Sequence, residues 1–129
     1  MESHSHLGRL LGDLEREVMG IFWAHGGRAV IRDVVEKLQK QRDIAYTTVM
    51  TVMNRLVEKG VLIRDEREQP HRYEVRHSEA EFYRSMAGQM LNRIHREFGP
   101  VAIACFVEEA EKVSRKKVKG LLKKLKRTV

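Results

Sequence analysis

The 129-residue sequence contains one cysteine, Cys105. A single thiol excludes an internal disulfide framework and any cysteine-built zinc site. Proline is almost as scarce, and both prolines, Pro70 and Pro100, fall where the pattern of elements breaks. No stretch approaches the ~20 apolar residues of a membrane span. The start, MESHSH, is polar and lacks the apolar core of a secretory signal, so a cytoplasmic protein is expected. There is no glycine-rich phosphate loop and no nucleophile elbow. His25, His71, His77 and His95 lack metal-ligand spacing, and His4 and His6 have no third ligand nearby and read as a frayed terminus. No catalytic residue, metal, cofactor or small-molecule substrate is therefore expected, and the chain does not read as an enzyme.

One stretch, AYTTVMTVMNRLVEKG at 45–60, stands out. Val49, Val52, Met53, Leu56 and Val57 recur at the spacing of a helix with one buried stripe. The other face carries Thr47, Thr48, Thr51, Asn54 and Arg55, with Glu58 as its one acid. A merely solvated face is usually rich in Glu and Lys pairs. Short donor and acceptor side chains with an arginine are instead the groups that reach base edges and phosphates in a major groove. Gly60 suits a left-handed C-terminal cap, and the β-prone Val61-Leu62-Ile63 follows.

Net charge is +7, unevenly spread. Residues 1–76 hold 13 Lys+Arg against 12 Asp+Glu, whereas residues 77–129 hold 12 against 6. Basicity agrees with a nucleic-acid partner, yet the polar helix belongs to the near-neutral part.

In chain order, residues 12–25 read as a helix with acids in its first turns and Leu14, Val18, Ile21 and Phe22 buried. Trp23 reads as a packing anchor, and Gly26-Gly27 ends the helix. Residues 29–39 read as a second helix with Val30, Val34, Val35 and Leu38 inward. Asp43 or Thr47 would cap the third. Two short helices joined tightly, the second polar and Thr-rich, form a helix-turn-helix. Residues 61–76 read as a β-hairpin with strands VLIR and RYEVR. Its charged tip is flanked by Arg64, Arg67, His71 and Arg72, and Pro70 suits the turn. Placed after such a helix, the hairpin reads as a phosphate-touching wing, although Asp65, Glu66 and Glu68 also suit a solvated hairpin.

Residues 78–97 read as a long helix opened by a Ser78/Glu81 capping box. Phe82, Met86, Met90 and Ile94 form its stripe, with Leu91 and Phe98 beside it. Residues 101–113 give another helix, in which Cys105 beside Phe106 reads as a small buried hydrophobe. Ser114 would cap a third, with Val118, Leu121, Leu122 and Leu125 apolar and the rest Lys-rich. Three such helices need a partner surface, and the simplest is a second copy. The basic tail RKKVKGLLKKLKR fits the outer face of a dimer helix, a DNA-backbone contact or a membrane-surface amphipath.

The segments LGDLEREVMGIFW (11–23), AYTTVMTVMNRLVEKG (45–60) and HRYEV (71–75) resemble the penicillinase-repressor (BlaI/MecI/CopY) family of bacterial transcription regulators. The C-terminal half resembles it in layout. The resemblance implies a mainly α fold with a small β-hairpin wing. A winged helix-turn-helix DNA-binding domain at 7–76 would precede a three-helix dimerisation region at 77–129. It implies a homodimer that binds a double-stranded operator dyad and blocks transcription. Thr47, Thr48, Thr51 and Arg55 would take the DNA-contacting role, with Asn54 on the same face and Arg64, Arg67 and Arg72 in the wing. Phe82, Met86, Met90, Ile94, Phe106, Leu121, Leu122 and Leu125 are the expected dimer contacts. In β-lactam-responsive members a membrane-bound sensor metalloprotease leads to cleavage in the dimer helices. The corresponding stretch here lies near Cys105 and Phe106, with Ala-Cys before Phe106 rather than the Asn-Phe pair associated with that cut. Copper-responsive members carry a C-terminal cysteine cluster that this chain lacks. Two other readings stay open on the residues: a winged helix used for protein–protein contact, and a membrane-surface adaptor working through the basic tail.

Overall fold

The computed structural model describes residues 11–113 and 115–127. The His4/His6 terminus and the expected Ser114 cap lie outside the described residues. The first helix, α1, spans Asp13–Ala24. Its entry is set by Glu15, whose Oε1 accepts the Gly12 N–H at 2.8 Å. Gly26 and Gly27, both at positive φ, turn the chain out of it. The Gly27 N–H donates to the Phe22 carbonyl at 2.8 Å, which closes the helix end.

A short strand follows that the sequence pattern does not reveal. β1 (Arg28–Val30) precedes α2 (Ile31–Gln39), so the second helix starts two residues later than expected. Val30, read as an inward helical residue, is a half-buried strand residue, and Ile31 takes the core position. The sequence at 29–39 continues a helical period, but residues 28–30 pair with β3 far along the chain, and that non-local ladder wins. α3 (Tyr46–Glu58) starts at Ala45 with no side-chain cap, so neither Asp43 nor Thr47 serves as one. Thr47 instead accepts at its carbonyl from Thr51 Oγ1, 3.0 Å away. Gly60, at φ 79°, ends α3 as expected.

β2 (Leu62–Asp65) and β3 (Arg72–Val75) make the hairpin, with Pro70 in its tip. With β1 they form a three-stranded antiparallel sheet in the order β1-β3-β2. Tyr73 lies between Ala29 on one side and Arg64 on the other.

The core of this unit is built from four sources. α1 supplies Val18, Met19 and Phe22, and α2 supplies Ile31, Val34, Val35 and Leu38. α3 supplies Val49, Val52, Met53 and Leu56, and the sheet adds Leu62 and Tyr73. Leu14 and Ile21, expected inside, are half-buried, because the inward edge of α1 runs through Glu15 and Met19. Val57 is likewise half-buried. Each fully buried side chain of this size contributes roughly 1.5–3 kcal/mol.

The chain divides into two compact units between Glu81 and Phe82. α4 (Glu79–Phe98), α5 (Pro100–Lys112) and α6 (Arg115–Arg127) follow the sheet. The capping box forms as read: the Ser78 N–H donates to Glu81 Oε1 at 2.9 Å, and the Glu81 N–H to Ser78 Oγ at 3.1 Å. Gly99 at φ 86° and Pro100 at the first helical position separate α4 from α5. Within the second unit the Arg84 guanidinium lies 3.5 Å from the Leu125 carbonyl. The apolar stripe there is largely uncovered. Phe82 is buried and Met86 and Ile94 are half-buried, but Met90, Phe106, Leu121, Leu122 and Leu125 are exposed. Phe98 and Val101 are 72% and 74% exposed. Cys105, expected to be buried, is exposed. Among the described residues no helix is long and apolar enough to cross a membrane.

Candidate nucleic-acid interface

The buried stripe of α3 fixes which side chains face out. With Val49, Val52, Met53 and Leu56 in the core, helical geometry turns Thr47, Thr48, Thr51 and Arg55 outward, and all four are exposed. Two apolar residues stand out beside them, Tyr46 at 44% and Met50 at 39% exposed. Reading the sequence for polar groups passes over these two. Their signal is that they are apolar yet off the buried stripe, and such groups suit contact with a thymine methyl. From Ile44 to Val57 the sequence holds no acid. The uncapped start of α3 adds unsatisfied N–H groups and the positive end of the helix dipole.

An open groove of about 570 Å³ runs along this helix. Thr48, Thr51, Arg55 and Lys59 line one side, and Gly12 to Glu15 at the start of α1 line the other. Glu15 anchors it. Its carboxylate receives the Lys59 ammonium at 2.8 Å, with side chains only 7% and 27% exposed for Glu15 and Lys59. Burial pushes the Glu15 pKa up, but the Lys59 hydrogen bond, the Gly12 N–H, and the Lys59 and Arg55 charges together outweigh it and leave it below its ordinary value. Glu15 is thus held ionised and ties α1 to the end of α3.

The wing arginines divide into committed and uncommitted groups. Arg67 folds back on Asp65 through its backbone N–H at 3.1 Å, Nε at 2.9 Å and Nη2 at 2.7 Å. That fork holds the Asp65 carboxyl far below the usual range and raises Arg67. Arg64 turns inward to Asn54, Tyr73 and Glu66. Arg72 is exposed on β3 and makes no side-chain hydrogen bond or ion pair among the described residues. The structure thus gathers Thr47, Thr48, Thr51, Asn54 and Arg55 on one helix and joins Asn54 to Arg64. Arg28 on β1, which sequence reading leaves out, faces Glu74 at 3.9 Å. Trp23 donates its indole N–H to the His77 carbonyl at 3.0 Å, as a packing anchor would. Among the described residues no cluster of His, Cys, Asp and Glu has the arrangement of a metal site.

The penicillinase repressor profile matches residues 11–127. The chain belongs to the penicillinase repressor family. Members of that family are transcriptional repressors, not enzymes. The "Transcriptional regulator BlaI" proteins of Mycobacterium tuberculosis strains CDC 1551 / Oshkosh and ATCC 25618 / H37Rv are each 40% identical to it over 84 residues, 65% of this chain. The match spans 59% of the length of those relatives. The family's mainly helical fold with a small sheet as wing is the one seen here.

Proposed function

We propose that this protein is a homodimeric, DNA-binding transcriptional repressor that holds an operator dyad and lets go when a signal acts on its second unit. The observation that carries this reading is the outer face of α3, free of acids until Glu58 at its end and standing exposed beside a hairpin wing. α3 enters the major groove, with Thr47, Thr48, Thr51, Asn54 and Arg55 toward the bases and Tyr46 and Met50 beside them. Arg72 in the wing and the start of α3 meet phosphates. Double-stranded DNA in the cytoplasm is the partner.

The second unit supplies the dimer. Its exposed stripe of Met90, Phe106, Leu121, Leu122 and Leu125 is apolar surface that a second copy would cover. Each reading head carries few uncommitted cations, so one copy binds weakly and two, linked at high effective concentration, bind well. A signal that loosens or cuts the second unit, including cleavage near Cys105 and Phe106 started by a membrane-bound sensor metalloprotease, releases the DNA without touching α3.

Selection of duplexes from a random-sequence library by the full chain, followed by binding titrations at several salt concentrations, tests this. A two-fold symmetric site is expected, with log affinity falling against log salt with a slope of about −5 if two copies make about six phosphate contacts. Sedimentation should give a particle of twice the 15.1 kDa chain. A salt-independent, unselective interaction would overturn the DNA assignment, and a monomer that binds tightly would overturn the division of labour.

A further inference from the structure

Arg64 lies on β2 directly opposite Tyr73 on β3. Each of its three guanidinium nitrogens is engaged inside the protein. Nη2 donates to Asn54 Oδ1 on α3 at 2.6 Å, Nε to the Tyr73 hydroxyl at 3.3 Å, and Nη1 to the Glu66 carboxylate at 3.3 Å. The guanidinium carbon sits 5.7 Å from the centre of the Tyr73 ring. Tyr73 is only 5% exposed, so this platform is part of the core.

We propose that Arg64 is a positioning residue: a strut that fixes the wing against α3 and orients the Asn54 amide toward a base edge. It is not a phosphate contact. The proposal rests on the α3 face being the DNA interface. An arginine that serves a phosphate keeps its fork free to meet it. Here the fork is divided among a helix side chain, the partner strand and the hairpin tip. Three of its five N–H donors are spent this way, and swinging the guanidinium outward to a phosphate would mean giving up the 2.6 Å bond to Asn54 or the seat on Tyr73. Lysine cannot replace it, since one ammonium on a flexible stem cannot stack on a ring and hold divergent acceptors as a planar fork does.

The strut has a consequence for what α3 reads. Asparagine recognises adenine by presenting its carbonyl and its amide N–H together. Here the Asn54 carbonyl is turned to Arg64, while its N–H donors make no hydrogen bond among the described residues. Asn54 therefore meets a base edge as a donor, matched to purine N7, guanine O6 or thymine O4.

The full chain is compared as wild type, Arg64→Met, Arg64→Lys, Asn54→Ala and the Arg64→Met/Asn54→Ala double variant. Without DNA, amide exchange across residues 65–71 should speed up in Arg64→Met and Arg64→Lys alike. The double variant should be no less stable to urea than the weaker single one. Unchanged exchange with additive losses would overturn the strut. With DNA, the probes are the duplex enriched by wild type and a random-sequence duplex of equal length. Both Arg64 variants should lose about tenfold on the enriched duplex, stay within about twofold on the random one, and keep the salt slope. A slope reduced by about 1 per copy, with Arg64→Lys restoring wild-type affinity, would make Arg64 a phosphate contact and overturn the proposal. Failure of the wild type to enrich any duplex would overturn the DNA reading itself. The exchange data would still decide the strut, a loosened wing supporting it and an unchanged wing refuting it.

Discussion

Lys59→Met tests the anchor between α1 and α3. Glu15 is 7% exposed at its side chain and takes both the Lys59 ammonium and the Gly12 N–H on one oxygen at 2.8 Å. Removing Lys59 leaves a nearly buried carboxylate with one backbone donor. Breaking a fully buried pair costs about 3–5 kcal/mol, and the partial exposure of Lys59 lowers that to about 2–3 kcal/mol. Glu15→Gln keeps an acceptor for Gly12 and leaves Lys59 free to reach water, so it costs less, about 1 kcal/mol. Trp23 is the only tryptophan and lies on α1, so its fluorescence reports this unit. With a urea slope of about 1.5 kcal/mol per molar, a loss of about 2 kcal/mol moves the midpoint by about 1.3 M.

The pH dependence supplies a second reading of the same pair. The folded-state pKa of Glu15 lies below its ordinary 4.5. A depressed carboxyl contributes stability that is present above the unfolded value and is lost as pH falls through the folded one. The wild type should therefore exceed Glu15→Gln by a constant margin from pH 7 to about pH 5, and the margin should shrink below about pH 4.5. If Lys59→Met unfolds at the wild-type midpoint, or if the margin over Glu15→Gln stays flat down to pH 3.5, the pair does not anchor α1 to α3.

Gly27→Ala should destabilise the first unit by about 1–3 kcal/mol in the same assay, because φ is +80° and a Cβ would sit 3.1 Å from Val75 Cγ2. Thr51→Val should leave stability within about 0.5 kcal/mol, since the hydroxyl bonds only its own helix at the surface, yet lower affinity for the enriched duplex. Arg55→Ala should weaken that binding by about 1–3 kcal/mol in a gel-shift titration. Cys105 should react with a thiol reagent quickly in dilute protein and slowly at concentrations where the dimer forms, if α5 is part of the interface.

The residues whose partners lie within one helix were legible in the sequence. Val49, Val52, Met53 and Leu56 follow the helical period, Ser78 and Glu81 stand at capping-box spacing, and Gly60 ends a helix. What was not legible depends on partners far along the chain. Glu15 reads as an acid favoured by a helix start, and only the fold brings Lys59, 44 residues on, to it. β1 is three residues long and exists because Ala29 falls opposite Tyr73. Arg64 looks like any wing arginine until strand register sets it on Tyr73 and within reach of Asn54. Cys105 illustrates a third kind of miss: an amphipathic pattern shows that a face can be buried, not whether its own chain covers it.

Net charge turns out to be a poor guide to the reading head, and the pairing pattern shows why. In the first unit Arg16, Arg28, Arg42, Lys59, Arg64 and Arg67 each face an acid, Asp13, Glu74, Glu17, Glu15, Glu66 and Asp65 respectively. These pairs contribute to the charge count without offering a free cation to a ligand. Arg32, Lys37, Lys40, Arg55, Arg72 and Arg76 form no ion pair among the described residues; of these Arg55 lies on α3, near enough to Glu15 to lower its pKa, and Arg72 on the wing, and no acid lies on α3 before Glu58. Exposed charges farther apart than about 8–10 Å are largely screened at physiological salt, so what a phosphate meets is this local arrangement and not the near-neutral sum. A head of this kind gains little from long-range steering and much from fit and from being used twice. Substituting neutral residues for Lys116, Lys117, Lys123 and Lys124 on α6 lowers the formal net charge from +7 to +3. If the head alone makes the DNA contacts, the salt slope on the enriched duplex should stay within about 1 of wild type; a slope that flattens by several contacts would place the basic tail on the DNA backbone.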